Sequence, residues 1–392
     1  MYPDLSYLFN DLFGTPVNNW LSLIKTFGFM LALAFLAASY VFGLELRRKE
    51  AQGLLSPTKE KIKMGYAATP MEIAINAILG FFIGFKVVYL AQHYQQIGED
   101  VFGFIASGTG NWLGGIIGAI LFGILQWWGK EREKQAKPGV KEVTIYPHDR
   151  NTDITIRAAI SGILGAKLFA IFESGENIRA FFRDPINQFF SGSGLAIYGG
   201  LIVAFAYVFW YVRKKGMKPI HIMDAAAPAM IMGYAVGRIG CQLSGDGDWG
   251  IVNTLAQPTW WFLPDWMWAY DFPNNVLNQG VLIEGCEGPY CHRLAEPVYP
   301  TPFYEVVMSL LIFVILWVLR KRIQIAGMIF FIYVTLNGLE RFWIEKIRVN
   351  DEIPFLGMNP SQAEIISTLL FFIGIGGCVY LYRRHKQKVI EK

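Results

Sequence analysis

The chain has 392 residues, of which 53% are hydrophobic and only 17% charged, with a formal net charge of +4. This balance excludes an ordinary soluble protein of that length, which would carry more charge. The small positive excess reads as anchoring at an inner leaflet, and nucleic acid is excluded as a partner.

Nine apolar stretches, near 20–44, 71–92, 111–129, 154–172, 195–212, 222–241, 303–319, 325–345 and 362–382, are predicted to cross a bilayer as helices. No basic region precedes the first, so no cleavable leader is expected. The third stretch runs into Lys130-Glu131-Arg132-Glu133-Lys134, and 130–152 reads as a charged, solvated inner loop. The second and third stretches are echoed by the fourth and fifth. Ala77 to Lys86 resembles Ala158 to Lys167, and Leu113-Gly114-Gly115-Ile116 resembles Tyr198-Gly199-Gly200-Leu201. Both copies end in a basic tail with Lys-Pro, at Lys137-Pro138 and Lys218-Pro219. The pattern reads as a parallel duplication of a helical hairpin; small residues spaced for close helix packing produce a similar pattern by themselves. Lys86 and Lys167 sit mid-span at matching places. Lys86 is read as structural, and Lys167 as either cavity lining or packing.

The sixth stretch leads into Gly237-Arg238-Ile239-Gly240-Cys241-Gln242-Leu243-Ser244-Gly245-Asp246-Gly247-Asp248-Trp249-Gly250. An arginine at the end of an apolar helix is costly without a partner or ligand. Its guanidinium fork fits phosphate oxygens, so the run points to a phosphorylated lipid. The segment 244–302 follows as a long outer cap, rich in proline and in Trp260, Trp261, Trp266, Trp268 and Tyr270, residues favoured at a membrane interface. It holds Cys286 and Cys291, read as a disulfide or as two free thiols; a zinc site would need more ligands. Cys378, in the last stretch, is read as packing. Glu305 opens the seventh stretch. The eighth ends in Asn337-Gly338-Leu339-Glu340-Arg341-Phe342-Trp343-Ile344-Glu345, where Arg341 and Glu345 share a helix face.

Charge bias sets the expected orientation. With the N-terminus outside and the C-terminus inside, the inner connections hold 24 Lys and Arg residues and the outer segments five, as the positive-inside rule requires. Arg238, Glu305, Arg341 and Glu345 then fall at one depth toward the outer face. They are predicted to form one buried polar site, against the alternative that each snorkels separately to the headgroups. Tyr198, on residue type alone, is more often an interface anchor than a catalytic group. The sequence has no P-loop, zinc motif, Gly-x-Ser-x-Gly elbow or dinucleotide fingerprint, which counts against an ATP-driven pump or a serine-dependent lipase.

Several of these segments together resemble the prolipoprotein diacylglyceryl transferases. Gly237-Arg238-Ile239-Gly240, with Gly245 and Trp249-Gly250 behind it, is similar to that family's signature of Gly-Arg-x-Gly-Asn, an acidic residue, then Gly. Gly194 to Leu201 resembles its His/Tyr-Gly-Gly segment, and Arg341-Phe342-Trp343-Ile344-Glu345 its Arg-Phe-x-x-Glu motif. Tyr299-Pro300 to Glu305, Ser361-Gln362 and Thr26 to Met30 fit further segments. The departures are Cys241 in place of Asn, Tyr198 in place of a common His and Phe27 in place of a common Tyr. One extra residue also lets either Asp246 or Asp248 fill the acidic place. The resemblance leaves out 51–152, read as an extra hairpin plus inner loop inserted in a core of usually seven spans.

The resemblance implies an all-α polytopic membrane protein, one integral membrane domain over 1–392, in a bacterial cytoplasmic (inner) membrane. It implies transfer of diacylglyceryl from phosphatidylglycerol to the lipobox cysteine of a prolipoprotein signal peptide, forming a thioether and releasing glycerol phosphate. Arg238 and Arg341 would stabilise the leaving phosphate, Glu345 would hold Arg341, and Asp246 or Asp248 would bind lipid glycerol or orient Arg238. Gly199, Gly200, Gly240, Gly250 and Glu305 would line the substrate, and Tyr198 is a proton-acceptor candidate that needs help to act as a base. Membrane lipids are the surroundings, and neither a metal nor an organic cofactor is called for. The rival readings are a transporter or channel for a small or lipid-like anion, and an inactive lipid-binding homologue.

Overall fold

The computed structural model describes residues 1–390 except 18, 94–96, 98–103, 106, 135–138, 191–195 and 351–358. Lys137-Pro138, Gly194 and Leu195 of the sequence reading lie outside the described residues. The chain divides into two compact units, one of residues 1–56 with 217–392, the other of 57–216.

The first unit opens with α1 (Leu5–Phe13), whose N-cap Asp4 accepts from Ser6 N and whose chain leaves through left-handed Gly14. Its long helices are α2 (Thr26–Ala51), then, beyond the second unit, α9 (Pro219–Ser244), α10 (Thr301–Arg322), α11 (Met328–Glu345) and α12 (Gln362–Ile390). Proline at the first turns of α9 and α10 fits there because its missing N–H would be unpaired anyway. α9 packs on α2, α10 and α11, and α11 on α12. Small residues set the approach: a Cβ on Gly240 would lie 2.9 Å from Met30 Cβ on α2, and one on Gly338 would lie 2.8 Å from Ser367 O on α12. The apolar core lies among Ala227 and Ile231 of α9, Ile312 and Leu316 of α10, and Ile329 of α11.

A buried ion network closes the other end of these helices. Glu45 of α2 pairs with Arg48 at 2.8 Å and with Arg320 of α10. Lys49 lies 3.5 Å from Asp224 of α9, whose carboxylate also accepts from Gly327 N and Phe330 N at the start of α11. That satisfies two helix-terminal donors with a side chain from a neighbouring helix.

The second unit contains β1 (Thr58–Met64), α3 (Pro70–Gln92), α4 (Trp112–Glu133), β2 (Gly139–Ile145), α5 (Asn151–Phe172), short α6 (Gly175–Arg183) and α7 (Pro185–Phe190), and α8 (Ile197–Lys214). α3 begins with a capping box between Thr69 and Glu72. The segment read as a solvated inner loop is in part a strand: β2 pairs antiparallel with β1 over seven residues. Arg150 and Lys215 both hold Glu60 of that ribbon, at 2.7 and 2.8 Å.

The predicted sequence echo is also an echo of contacts. α3 packs on α4 and α5 on α8. Asn111 N donates to Phe85 O in the first hairpin at 2.8 Å, and Ala196 N to Ala166 O in the second at 3.0 Å. Gly84 faces Gly114 in the first, and the matching Gly165 faces Gly199 in the second. Lys86 donates to the carbonyls of Phe104, Ser107 and Thr109, which supports its structural reading.

Each of the nine predicted stretches coincides with a long helix. Among the described residues, seven helices are long and apolar enough to cross a membrane by length and composition. The other two, α8 and α11, are 18 residues each. α8 gives its last turn to Arg213 and Lys214, and α11 carries Glu340, Arg341 and Glu345. The chain is mostly helical, the architecture of a polytopic membrane protein. The strand pairs β1–β2 and the two-residue β3–β4 (Val281–Leu282 and His292–Arg293) qualify the expectation of an all-α chain.

The segment 251–302 folds on Trp249, Phe272 and Val298, with Tyr270 and Leu294 packed against them. Cys286 and Cys291 are bonded as a disulfide. The Tyr7 hydroxyl of α1 accepts from Tyr290 N of this segment at 3.1 Å.

Candidate active site

Arg238 sits in the last two turns of α9, with its side chain 11% exposed. Gly245 ends that helix in the left-handed conformation, its N–H bonded to Cys241 O. The turn brings Asp248 back, and its carboxylate takes ion pairs from Arg238 and from Arg348. Thr301 Oγ1 donates to Asp248 O at 2.6 Å, tying the turn to the start of α10.

Glu305 stands in the second turn of α10 and is fully buried. Three guanidinium groups converge on it: Arg341 at 2.9 Å, Arg238 at 3.1 Å and Arg348 at 3.8 Å. Tyr234, one turn before Arg238, donates its hydroxyl to the same carboxylate at 2.8 Å. Arg341 also pairs with Glu345 at 3.1 Å. Glu345 is held in turn by Ser361 Oγ at 2.8 Å and by Asn350 Nδ2.

The four charges expected to share a site therefore do so, through Glu305. Three arginines meet three paired carboxylates, so the ion-paired set is neutral. Each guanidinium is held from more than one side, and the guanidinium fork is the group suited to a planar or tetrahedral anion.

Of the two aspartates left open by the sequence, Asp248 makes the arginine contacts. Burial disfavours its charge, but Arg238 and Arg348 outweigh burial and hold its carboxyl below the ordinary value. Asp246 makes no such pair among the described residues; burial, and then the charge of Asp248, push its carboxyl up. Cys241 is buried, with Arg238 Nη1 3.6 Å from its sulfur. Among the described residues, Cys241, Asp246 and Asp248 offer donor atoms within 4.8 Å of one another. A cation there would meet two guanidinium groups across Asp248.

The glycines named as substrate-lining have protein neighbours. Gly240 lets α9 approach Met30, and Gly250 N donates to Tyr299 O at 2.9 Å, where an added Cβ would lie 2.5 Å from Ile347 O. Tyr198, Gly199 and Gly200 belong to the second unit, at the start of α8. There Gly199 gives room to Phe169 and Gly200 to Gly162 O.

Arg348 is the member of this ion cluster that the sequence reading does not single out. It lies just past α11 and was counted among loop charges. The available signal was spacing: Arg341, Glu345 and Arg348 follow at i, i+4 and i+7, one helical face. A short antiparallel bridge between Gly250 and Arg348 fixes its backbone.

The sequence profile of the prolipoprotein diacylglyceryl transferase family matches residues 124–380. A phosphatidylglycerol–prolipoprotein diacylglyceryl transferase of Dehalococcoides mccartyi is 27% identical over 250 residues, covering 62% of this chain and 82% of the relative. One of Lysinibacillus sphaericus is 32% identical over 199 residues, covering 51% and 64%. One of Leptospira interrogans is 22% identical over 400 residues, covering 95% and 91%. The last similarity runs over nearly the whole chain, through the region read as an insertion.

Proposed function

The chain belongs to the prolipoprotein diacylglyceryl transferase family, and we propose that its three-arginine cluster is where the phosphate of the lipid donor is held. The protein is a transferase of the first step of lipoprotein maturation, with phosphatidylglycerol as donor and a prolipoprotein as acceptor. The convergence of Arg238, Arg341 and Arg348 on buried Glu305 is the observation that carries the reading.

In the proposed step the thiolate of the substrate's lipobox cysteine attacks the glycerol carbon that bears the phosphate. The sulfur–carbon bond forms as the carbon–oxygen bond breaks, and the electron pair leaves on the phosphate oxygen of glycerol phosphate. The thiol gives up its proton to solvent as the attacking thiolate forms. Arg238 and Arg341 meet the charge that grows on the leaving oxygen. Asp248 aims Arg238 and Glu345 aims Arg341. Both arginines stand beside Glu305 before the lipid arrives and need only turn part of their donors from that carboxylate to the phosphate. Gly240 and Gly250 shape the site by letting backbone and neighbouring helices come close.

The same proposal includes nine membrane crossings, with the N-terminus outside and the C-terminus inside a bacterial cytoplasmic membrane. Its support is the excess of Lys and Arg in the connections assigned to the inner face. The segment 244–302 is then a cap at the outer surface, with Trp260 and Phe262 exposed toward headgroups. Its disulfide fits an oxidising compartment.

The test uses the purified full-length protein in detergent with phosphatidylglycerol and a lipobox peptide. The expected product is the peptide heavier by one thioether-linked diacylglyceryl group, with glycerol phosphate released. A peptide of unchanged mass, with folded protein, would overturn the reading.

A further inference from the structure

Glu340 is the group in this cluster that the steps above do not use. It lies on α11 directly before Arg341 and is 1% exposed. Both of its carboxyl oxygens are buried and have no hydrogen-bond partner, and among the described residues it makes no ion pair. The groups that act on it electrostatically are Glu305 from α10, Arg238 and Tyr234 from α9, and Arg341 and Tyr333 of its own helix. At this level α12 presents Ser367 and Phe371 to Gly338, neither ionisable.

The charges around it are already matched. Arg238, Arg341 and Arg348 are met by Asp248, Glu305 and Glu345, so no cation is left over for Glu340. A carboxylate buried without a cation or a donor is strongly disfavoured, and the neutral acid is the cheaper form. A neutral carboxyl carries one O–H donor. Glu305, the carboxylate that acts on it electrostatically, is the acceptor that loses most when a phosphate arrives, because the arginines that would turn to the phosphate are those bonded to Glu305.

We propose that Glu340 is a positioning residue: it rests as the neutral acid and donates a hydrogen bond to Glu305 when an anionic headgroup draws the arginines away. This rests on the reading of the arginine cluster as the phosphate site. Glu305 stays buried and satisfied while its guanidinium partners are shared, and the site accepts an anion without a second carboxylate opposing it. If Glu340 ionised instead, its charge would repel both Glu305 and the incoming phosphate. Headgroup affinity is therefore tied to one proton on Glu340.

The test is binding of short-chain phosphatidylglycerol, and of the matching uncharged diacylglycerol, to the full-length protein in zwitterionic nanodiscs. Titrations run from mildly acidic to mildly alkaline pH. Wild type is expected to prefer the anionic lipid and to lose about tenfold of that preference as pH rises. Glu340→Gln keeps a neutral donor of the same shape, so its preference should be flat over that range. Glu340→Leu keeps bulk without a donor and should bind the anionic lipid about tenfold more weakly than the Gln variant at every pH. A wild-type preference independent of pH, or Gln and Leu variants that bind alike, overturns the role of Glu340 alone. A wild type with no preference for the anionic lipid overturns this role and the phosphate-site reading together.

Discussion

Removal of Arg341 and Glu345 singly and together should show them acting as one unit. Arg341 bonds Glu345 at 3.1 Å and Glu305 at 2.9 Å, with its side chain 21% exposed. Arg341→Ala removes a fixed cation aimed at the leaving phosphate, an effect of about 10²- to 10³-fold in turnover. Glu345→Ala leaves Arg341 tethered by Glu305 alone, and the freed guanidinium loses alignment, a loss of about tenfold, or about 1.4 kcal/mol. Once Arg341 is gone, Glu345 has nothing left to orient, so the double variant should match the Arg341 single. The coupling is then about 1.4 kcal/mol, within the range for contacting residues. Glu345→Gln is the control: it keeps the hydrogen bond from Ser361 and loses only charge, so it should fall between wild type and Glu345→Ala. The assay is diacylglyceryl transfer to a lipobox peptide followed by mass, with each variant's folding checked by thermal melting. Losses that simply multiply in the double variant would show that the two residues work independently, and the shared-site account would lose its basis.

Three other outcomes are expected. Cys241→Asn should retain substantial transfer, because the attacking thiol belongs to the peptide; a diacylglyceryl adduct on Cys241 in the intact mass would contradict this. Gly250→Ala should lower stability by about 1–3 kcal/mol, since its Cβ would lie 2.5 Å from Ile347 O and 2.8 Å from Tyr299 Cβ; an unchanged unfolding midpoint would refute that packing argument. Asp248 has a carboxyl held below its ordinary value of 3.8, so its stabilising contribution is present above that value and is lost as pH falls through the depressed one. Acidification below about pH 4 should therefore lower the melting temperature of wild type more than that of Asp248→Asn, and equal slopes would show that the pair contributes nothing.

The charges at helix ends were legible in the sequence because a membrane makes them costly. Arg238, Glu305, Arg341 and Glu345 stood out against apolar surroundings, and the structure joins them through Glu305. Arg348 was hidden by its place after the helix, where arginines are ordinary, and Glu340 by standing next to a more conspicuous Arg341. The β1–β2 ribbon was hidden by its lysines: Lys141 falls in the segment read as solvated charge, and Lys59 and Lys61 in a connection read only for its charge, although alternation along Thr58–Met64 suits a two-stranded edge. The ion network of Glu45, Lys49, Asp224 and Arg320 was likewise dispersed over three helices, each charge apparently a helix terminus. Long-range pairing of this kind leaves no local pattern, whereas hydropathy and glycine spacing do. The latter is why the helices and the hairpin echo could be read directly.

The most direct measurement is transfer by the Arg238 variants. Arg238 touches Asp248, Glu305 and Cys241 at the centre of the cluster, and its fork is what would grip the phosphate. Purified Arg238→Ala and Arg238→Lys, each shown to be folded in the membrane, are compared with wild type for transfer from phosphatidylglycerol to a lipobox peptide. Both should be inactive, the Lys variant because an ammonium cannot reproduce the bidentate contact. Near-normal turnover by Arg238→Ala would contradict the assignment of this cluster as the phosphate site.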